Sequence, residues 1–108
     1  MKYLSRSEEI ILLSIWKLQD NAYGMSIREQ VKKVTGVHWS FGAIYAPLNR
    51  LLKKEIVSSF NGEPTPERGG RSKVFYTLTD KGKEALKAVK EVNEAIWIDI
   101  PSLGLDKG

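Results

Sequence analysis

With 108 residues the chain is the size of one domain, able to bury roughly two-thirds of the surface that its unfolded form exposes. An apolar share of 42% and a charged share of 28% exclude both an intrinsically disordered chain and a membrane-embedded one. The absence of cysteine excludes disulfides, thiol catalysis and every cysteine-ligated metal site, and it suits a reducing cytosol.

The net charge of +4 is unevenly spread. Residues 21–83 hold 11 Lys and Arg against 5 Asp and Glu, whereas the flanks hold 6 against 8. Basic charge gathered in the middle of a small domain points to a polyanionic partner, with a solvated basic face as the alternative. The longest apolar run, Ile10 to Trp16, is broken by Ser14 and falls far short of the ~20 residues of a membrane span. It also follows Glu8 and Glu9, where a secretory leader would be cationic. A cytoplasmic protein without membrane contact is expected.

The first predicted helix opens at Ser5, with Glu8 three residues on in capping-box spacing. Its body (Ile10, Ile11, Leu12, Leu13, Ile15, Trp16, Leu18) is apolar nearly all round, so it needs cover on more than one side. Part of that cover is expected from a second chain. Asp20-Asn21 make a turn and Tyr23-Gly24 lead into a second helix, whose apolar side is Ile27, Val31 and Val34. Arg28, Glu29, Lys32 and Lys33 fall on its wet side. Thr35-Gly36 end it, Val37 to Trp39 turn, and Ser40 caps the next helix.

In that third helix Phe41, Ile44, Tyr45, Leu48, Leu51 and Leu52 share an arc of roughly 120°. Gly42, Ala43, Ala46, Asn49, Arg50 and Lys53 lie opposite. The small residues permit close approach of the backbone, while the amide and cations can read base edges or hold phosphates. Pro47 removes one helical hydrogen bond and predicts a bend. Two β-prone runs follow, Ile56–Phe60 and Lys73–Leu78, joined by residues 61–72. That joining segment is rich in Gly and Pro, carries Arg68 and Arg71, and is expected to project as a mobile loop.

Thr79 caps a last helix predicted to run to about Ile100, ahead of Pro101. Leu86, Val89, Val92, Ile96, Trp97 and Ile100 make its apolar stripe, with Asn93 inside it. One small domain cannot cover such a stripe. Dimerisation is therefore expected, with Asn93 a candidate register-setting contact and Ile11 and Ile15 of the first helix adding to the interface.

The reading is a mainly α fold with a small β-hairpin: a winged helix-turn-helix over residues 1–78, a dimerisation helix over 79–100 and a disordered tail over 101–108. The sequence resembles the PadR-like transcriptional regulators. Asn21-Ala22-Tyr23-Gly24, Phe41-Gly42-Ala43-Ile44-Tyr45 with Leu48-Asn49-Arg50-Leu51, Glu63 through Arg71, and Tyr76-Thr77-Leu78-Thr79 carry the resemblance. The single terminal helix is similar to that of the short-form members.

The resemblance implies a dimeric repressor that acts on an inverted-repeat operator in double-stranded DNA. It assigns Gly42, Ala43, Tyr45, Asn49 and Arg50 to the recognition helix, where Ser40 and Lys53 join them. Arg68, Gly69, Gly70, Arg71 and Lys73 fall to the wing, and Tyr23 to a phosphate contact. Two glycines between arginines suit close approach to phosphate; Tyr45 and Tyr23 could equally be core residues with wet hydroxyls. Some short-form relatives bind flat apolar compounds between the tryptophans of paired last helices. Trp97 keeps the same face about one turn further along, so Trp16 and Trp97 are candidate effector contacts, or simply a packed interface pair.

No catalytic residue, metal ligand or cofactor motif is identified. His38 has no partner at ligand spacing and reads as a turn or capping residue; its pairing with Ser40 is too unspecific for nucleophilic catalysis. Residues 69–73 lack the spacing of a phosphate loop. The rival reading is a winged-helix protein-interaction module without DNA binding.

Overall fold

A computed structural model describes residues 3–62 and 73–105. The order is α1 (Arg6–Leu18), a 3-10 turn (Gln19–Asn21), α2 (Gly24–Thr35), α3 (Phe41–Lys53), β1 (Val57–Asn61), β2 (Val74–Leu78) and α4 (Asp80–Ile96). The strands pair antiparallel with Val57 opposite Leu78 and Asn61 opposite Val74. The wing residues Arg68, Gly69, Gly70 and Arg71, and with them the joining segment from 63 to 72, lie outside the described residues.

Each helix start follows its local chemistry. Ser5 Oγ accepts from Glu8 N–H at 3.1 Å while Glu8 Oε1 accepts from Ser5 N–H at 2.9 Å, a complete capping box. Ser40 and Thr79 cap α3 and α4 by accepting from Ala43 N–H and Gly82 N–H. Gly36 ends α2 at φ +74°, a left-handed geometry that costs glycine nothing. Pro47 sits inside α3, which continues unbroken from Phe41 to Lys53. The proline cannot donate to the Ala43 carbonyl, but Ala43 is exposed, so water can serve that acceptor.

The core is one cluster under the helix-turn-helix: Ile11, Leu12 and Ile15 of α1, Ile27 and Val31 of α2, Ile44, Leu48 and Leu51 of α3, and Val57, Tyr76 and Leu78 of the hairpin. Three expectations are corrected here. Ile11 and Ile15 are 0% and 1% exposed, because α2 and α3 cover the inner side of α1. They belong to this chain's own core and have no surface left for a second copy. Val34 is 61% exposed, because α2 meets the core over its first two turns only. Phe41 and Tyr45 are exposed to 47% and 37%, so the buried face of α3 is narrower than its apolar arc, and Pro47 completes it.

The hairpin is tied to the helices at two points. Tyr76 N–H donates to the Ala22 carbonyl at 2.8 Å, and Tyr23 forms an isolated bridge with Phe75. At the other end a Cβ on Gly82 would overlap the Ile56 carbonyl, so the bare glycine lets α4 start flush against the segment before β1.

Beyond that start α4 leaves the body. Only Gly82 and Val89 of the helix are buried, and the radius of gyration is 16.3 Å against about 13 Å for a compact chain of this length. The helix stops at Ile96, four residues before the expected end. Ile100 precedes Pro101, whose ring disfavours the helical conformation there, and Asp99 takes φ +64°. Trp97 and Ile98 close the helix by donating to the Glu94 and Ala95 carbonyls three residues back. Trp97 is thus the C-cap, and Ile100 lies past the helix rather than on its stripe.

Candidate nucleic-acid interface

The outer face of α3 is the one that the 3.6-residue period assigns. Ile44, Leu48 and Leu51 are fully buried, and this forces Gly42, Ala43, Ala46, Asn49, Arg50 and Lys53 outward, all exposed. Small residues occupy the first turn and amide and cationic ones the last two. This face is flanked by two clefts. One, lined by Ser7, His38, Trp39, Ala43, Ala46 and Arg50, separates it from the start of α1. The other, lined by Tyr23, Met25, Phe41, Tyr45, Lys73 and Tyr76, separates it from α2 and β2.

The second cleft brings together residues that are far apart in sequence. The Tyr23 ring meets Phe75 edge-on with centroids 5.5 Å apart, and Lys73 Nζ lies 4.0 Å from the Tyr23 centroid. Held against the ring face, the ammonium is attracted by the ring quadrupole while its outer side stays wet. The Tyr45 ring crosses the start of α2: a Cβ on Gly24 would overlap the Tyr45 hydroxyl. Burial, and then the neighbouring Tyr45, raise the Tyr76 pKa above its ordinary 10.0, so this phenol stays neutral. A lysine and tyrosine hydroxyls beside a helix N-terminus form a group of donors suited to an anion.

Two side chains that sequence reasoning did not place in the site prove central to its build. Arg28, read as solvated surface, spans the α2–α3 turn. Its Nε donates to the Trp39 carbonyl at 2.6 Å, an Nη contacts His38 Nε2 at 2.7 Å, and its guanidinium lies 4.3 Å from the Phe41 centroid. Guanidinium can only donate, so His38 Nε2 is the acceptor in this contact. No local spacing signals this arrangement, because the turn itself creates it.

Glu8 is the other. Its second oxygen, Oε2, lies 3.4 Å from Arg50 Nε and 3.6 Å from Lys54 Nζ, and its side chain is only 6% exposed. Burial alone pushes the Glu8 carboxyl up. The Ser5 N–H, the Lys54 charge and the Arg50 hydrogen bond outweigh it, and the group sits below the ordinary glutamate value. A sequence signal for this existed: Glu8, Ile11, Leu12 and Ile15 share one helical stripe, which puts the carboxylate on the buried side.

Away from α3, a groove of about 960 Å³ runs between α1 and α4, lined by Leu13, Trp16, Leu86, Val89, Asn93 and Trp97 among others. Trp16 and Trp97 are 44% and 61% exposed, so the two candidate effector residues share one open groove. Asn93 Nδ2 donates to Glu9 Oε2 at 3.0 Å across it; its amide is therefore engaged within the chain. Val92 is half-buried and Ile96 is 60% exposed. No group of three or more potential metal ligands occurs among the described residues, and none of the described helices is long and apolar enough to cross a membrane.

Comparison with known proteins agrees with this geometry. The chain is 32% identical over 95 residues to an uncharacterised protein of Lysinibacillus sphaericus, covering 82% of this chain and 83% of that one. It is similar to the crystal structure of a PadR family transcription regulator from Clostridium difficile, with a TM-score of 0.68 and 27% identity over 82% of this chain and 88% of that one. A PadR-like transcriptional regulator from Bacillus cereus gives a TM-score of 0.69 and 26% identity, with 82% of each chain covered. The sequence profile described as "Transcriptional regulator PadR-like family" matches residues 12–88. The chain thus belongs to the PadR-like family of transcriptional regulators, non-enzymatic DNA-binding proteins built on a winged helix.

Proposed function

We propose that this protein is a cytoplasmic, homodimeric repressor that reads an inverted-repeat operator and is released by a small apolar or aromatic effector. The observation that carries the reading is the split of α3. Its buried face anchors it in the core, and its outer face offers Gly42, Ala43, Asn49, Arg50 and Lys53 between two clefts, one of them edged by Tyr23, Tyr45 and Lys73. Such a face enters a major groove with the small residues nearest the bases, and Asn49 and Arg50 supply amide and guanidinium donors. Ser40 caps the entering end. Tyr23 and Lys73 contact phosphate, as do Arg68 and Arg71 of the wing, with Gly69 and Gly70 allowing close approach.

Two copies pair through α4, where Leu86, Val92 and Ile96 offer apolar surface, joined by Trp97 at its end and Ile100 just beyond it, and the groove with Trp16 and Leu13, floored by the buried Val89, awaits cover. Related by a two-fold axis, the two α3 helices meet successive major grooves about 34 Å apart. The effector occupies the same groove and competes with the packing of Trp16 and Trp97.

Fluorescence anisotropy with the duplex upstream of the protein's own gene, against a scrambled duplex at two salt concentrations, tests the reading. Preferential, salt-dependent binding at two chains per site is expected. Salt-dependent binding without preference would move the operator elsewhere, and no binding even at low salt would favour a protein-interaction module. Titration of planar aromatic compounds against tryptophan fluorescence tests the effector; no quenching by any of them would remove it.

A further inference from the structure

We infer that Glu8 is a positioning residue for DNA reading: the buried carboxylate at the start of α1 orients Arg50 on the recognition helix and, with it, Lys54 just past that helix's end. The inference rests on the DNA-binding reading of α3 and adds to it the residue that sets the aim of its arginine.

The two oxygens of Glu8 have separate tasks. Oε1 closes the capping box with Ser5. Oε2 faces Arg50 Nε and Lys54 Nζ at 3.4 and 3.6 Å. A helix cap needs only the first, and a glutamine would provide it equally well. The second oxygen brings a full negative charge to the flank of a helix whose other charges on this side are cationic.

The contact uses Nε, the inner edge of the guanidinium, and the Arg50 side chain stays 52% exposed. The terminal amino groups, the edge that forks onto guanine or a phosphate, have no partner among the described residues. A long side chain ordinarily loses rotamer freedom when it docks on a base. Here part of that ordering is already made in the free protein. Arg50 also lines the cleft with Ala43 and Ala46, the small residues that let α3 approach the bases. Lys54, 51% exposed, faces the same oxygen from the end of α3.

The carboxylate therefore has two opposed effects. It weakens general attraction to DNA, because it offsets positive charge next to the binding face. It strengthens discrimination, because it restricts one arginine to one direction. A glutamate that only capped α1 would also weaken general attraction, but it would leave discrimination unchanged.

Glu8→Gln separates the two roles, since it keeps the capping box and removes the charge. The probes are a duplex selected by the wild-type protein from a randomised pool and a scrambled duplex of the same composition, with folding checked by circular dichroism. The variant is expected to bind the scrambled duplex several-fold more tightly at low salt and to lose roughly tenfold in the ratio of selected to scrambled affinity. Glu8→Asp, which keeps the charge one methylene short, should recover part of that ratio; a capping role alone predicts the reverse order. In an Arg50→Ala background neither change should alter the ratio further, and either variant completes that cycle if the other does not fold. An unchanged ratio in the variant beside a clear preference in the wild type overturns the inference alone. No preference in the wild type overturns the DNA reading and the inference together.

Discussion

The Asn93 amide of α4 donates to Glu9 Oε2 at 3.0 Å, one residue along the chain from the carboxylate that holds Arg50. Adjacent glutamates in the first turn of α1 thus face opposite neighbours, Glu9 the terminal helix and Glu8 the recognition helix. Asn93→Ala should lower the unfolding free energy by roughly 1 kcal/mol. Asn93→Asp should cost more at pH 7, because it sets a second carboxylate against Glu9. Urea unfolding at one fixed protein concentration measures both, since the apparent stability of a dimer depends on concentration. Equal midpoints for all three proteins would show that apolar packing alone holds α4.

Two close-approach glycines should respond differently to Ala. At Gly82 the added methyl meets the Ile56 backbone carbonyl, which cannot swing aside, and a loss of about 1–3 kcal/mol is expected. At Gly24 it meets the end of the Tyr45 side chain, which can rotate away, so the expected loss is below about 1 kcal/mol. Displacing Tyr45 should nevertheless weaken DNA binding. Comparison of denaturation midpoints with anisotropy titrations for both variants checks this; a Gly24→Ala protein with full affinity would remove Tyr45 from the interface.

Glu8 should give the acid limb of the stability profile a definite sign. Its folded pKa lies below the ordinary 4.5, so the folded state holds its proton less tightly than the unfolded chain does. The stabilisation is complete above about pH 5 and is lost as pH falls through 4.5 towards the depressed folded value. Thermal midpoints between pH 3 and 6 should fall less steeply for Glu8→Gln than for the wild type. Parallel curves would mean that the carboxylate is no more acidic folded than unfolded.

Lys73 sits over the Tyr23 ring, and Lys73→Ala should weaken binding to all duplexes alike. The slope of log K against log salt should flatten by about one to two for a dimer. Loss confined to one duplex would make Lys73 a reader of sequence instead.

Arg28 grips the turn by its planar fork and its stacking on Phe41, so Arg28→Lys should behave much like Arg28→Ala. Both are expected to cost about 1–2 kcal/mol, because the Trp39 carbonyl loses a charged donor. Full stability in the lysine variant, measured by urea unfolding, would show that charge alone suffices.

Much of the fold could be read residue by residue because its signals are local. Ser5 with Glu8, Gly36, Ser40 and Thr79 mark helix ends through hydrogen bonds or backbone angles within a few residues. The outer face of α3 was equally readable, since Ile44, Leu48 and Leu51 leave only one side for Asn49, Arg50 and Lys53. Periodicity names the apolar side of a helix but not what covers it. Hence Ile11 and Ile15 read as interface residues, whereas α2 and α3 already enclose them, and Val34 and Phe41 read as core although both stay open to solvent. Arg28 and the second oxygen of Glu8 acquire their roles from neighbours 10 to 46 residues away. Sequence by itself determined which segments form helices and which face of α3 is polar, because those depend on short-range bonding and a 3.6-residue repeat. Only the tertiary structure decided which charges meet, because a contact across the turn or from α1 to α3 exists only once the core has set the helices against one another.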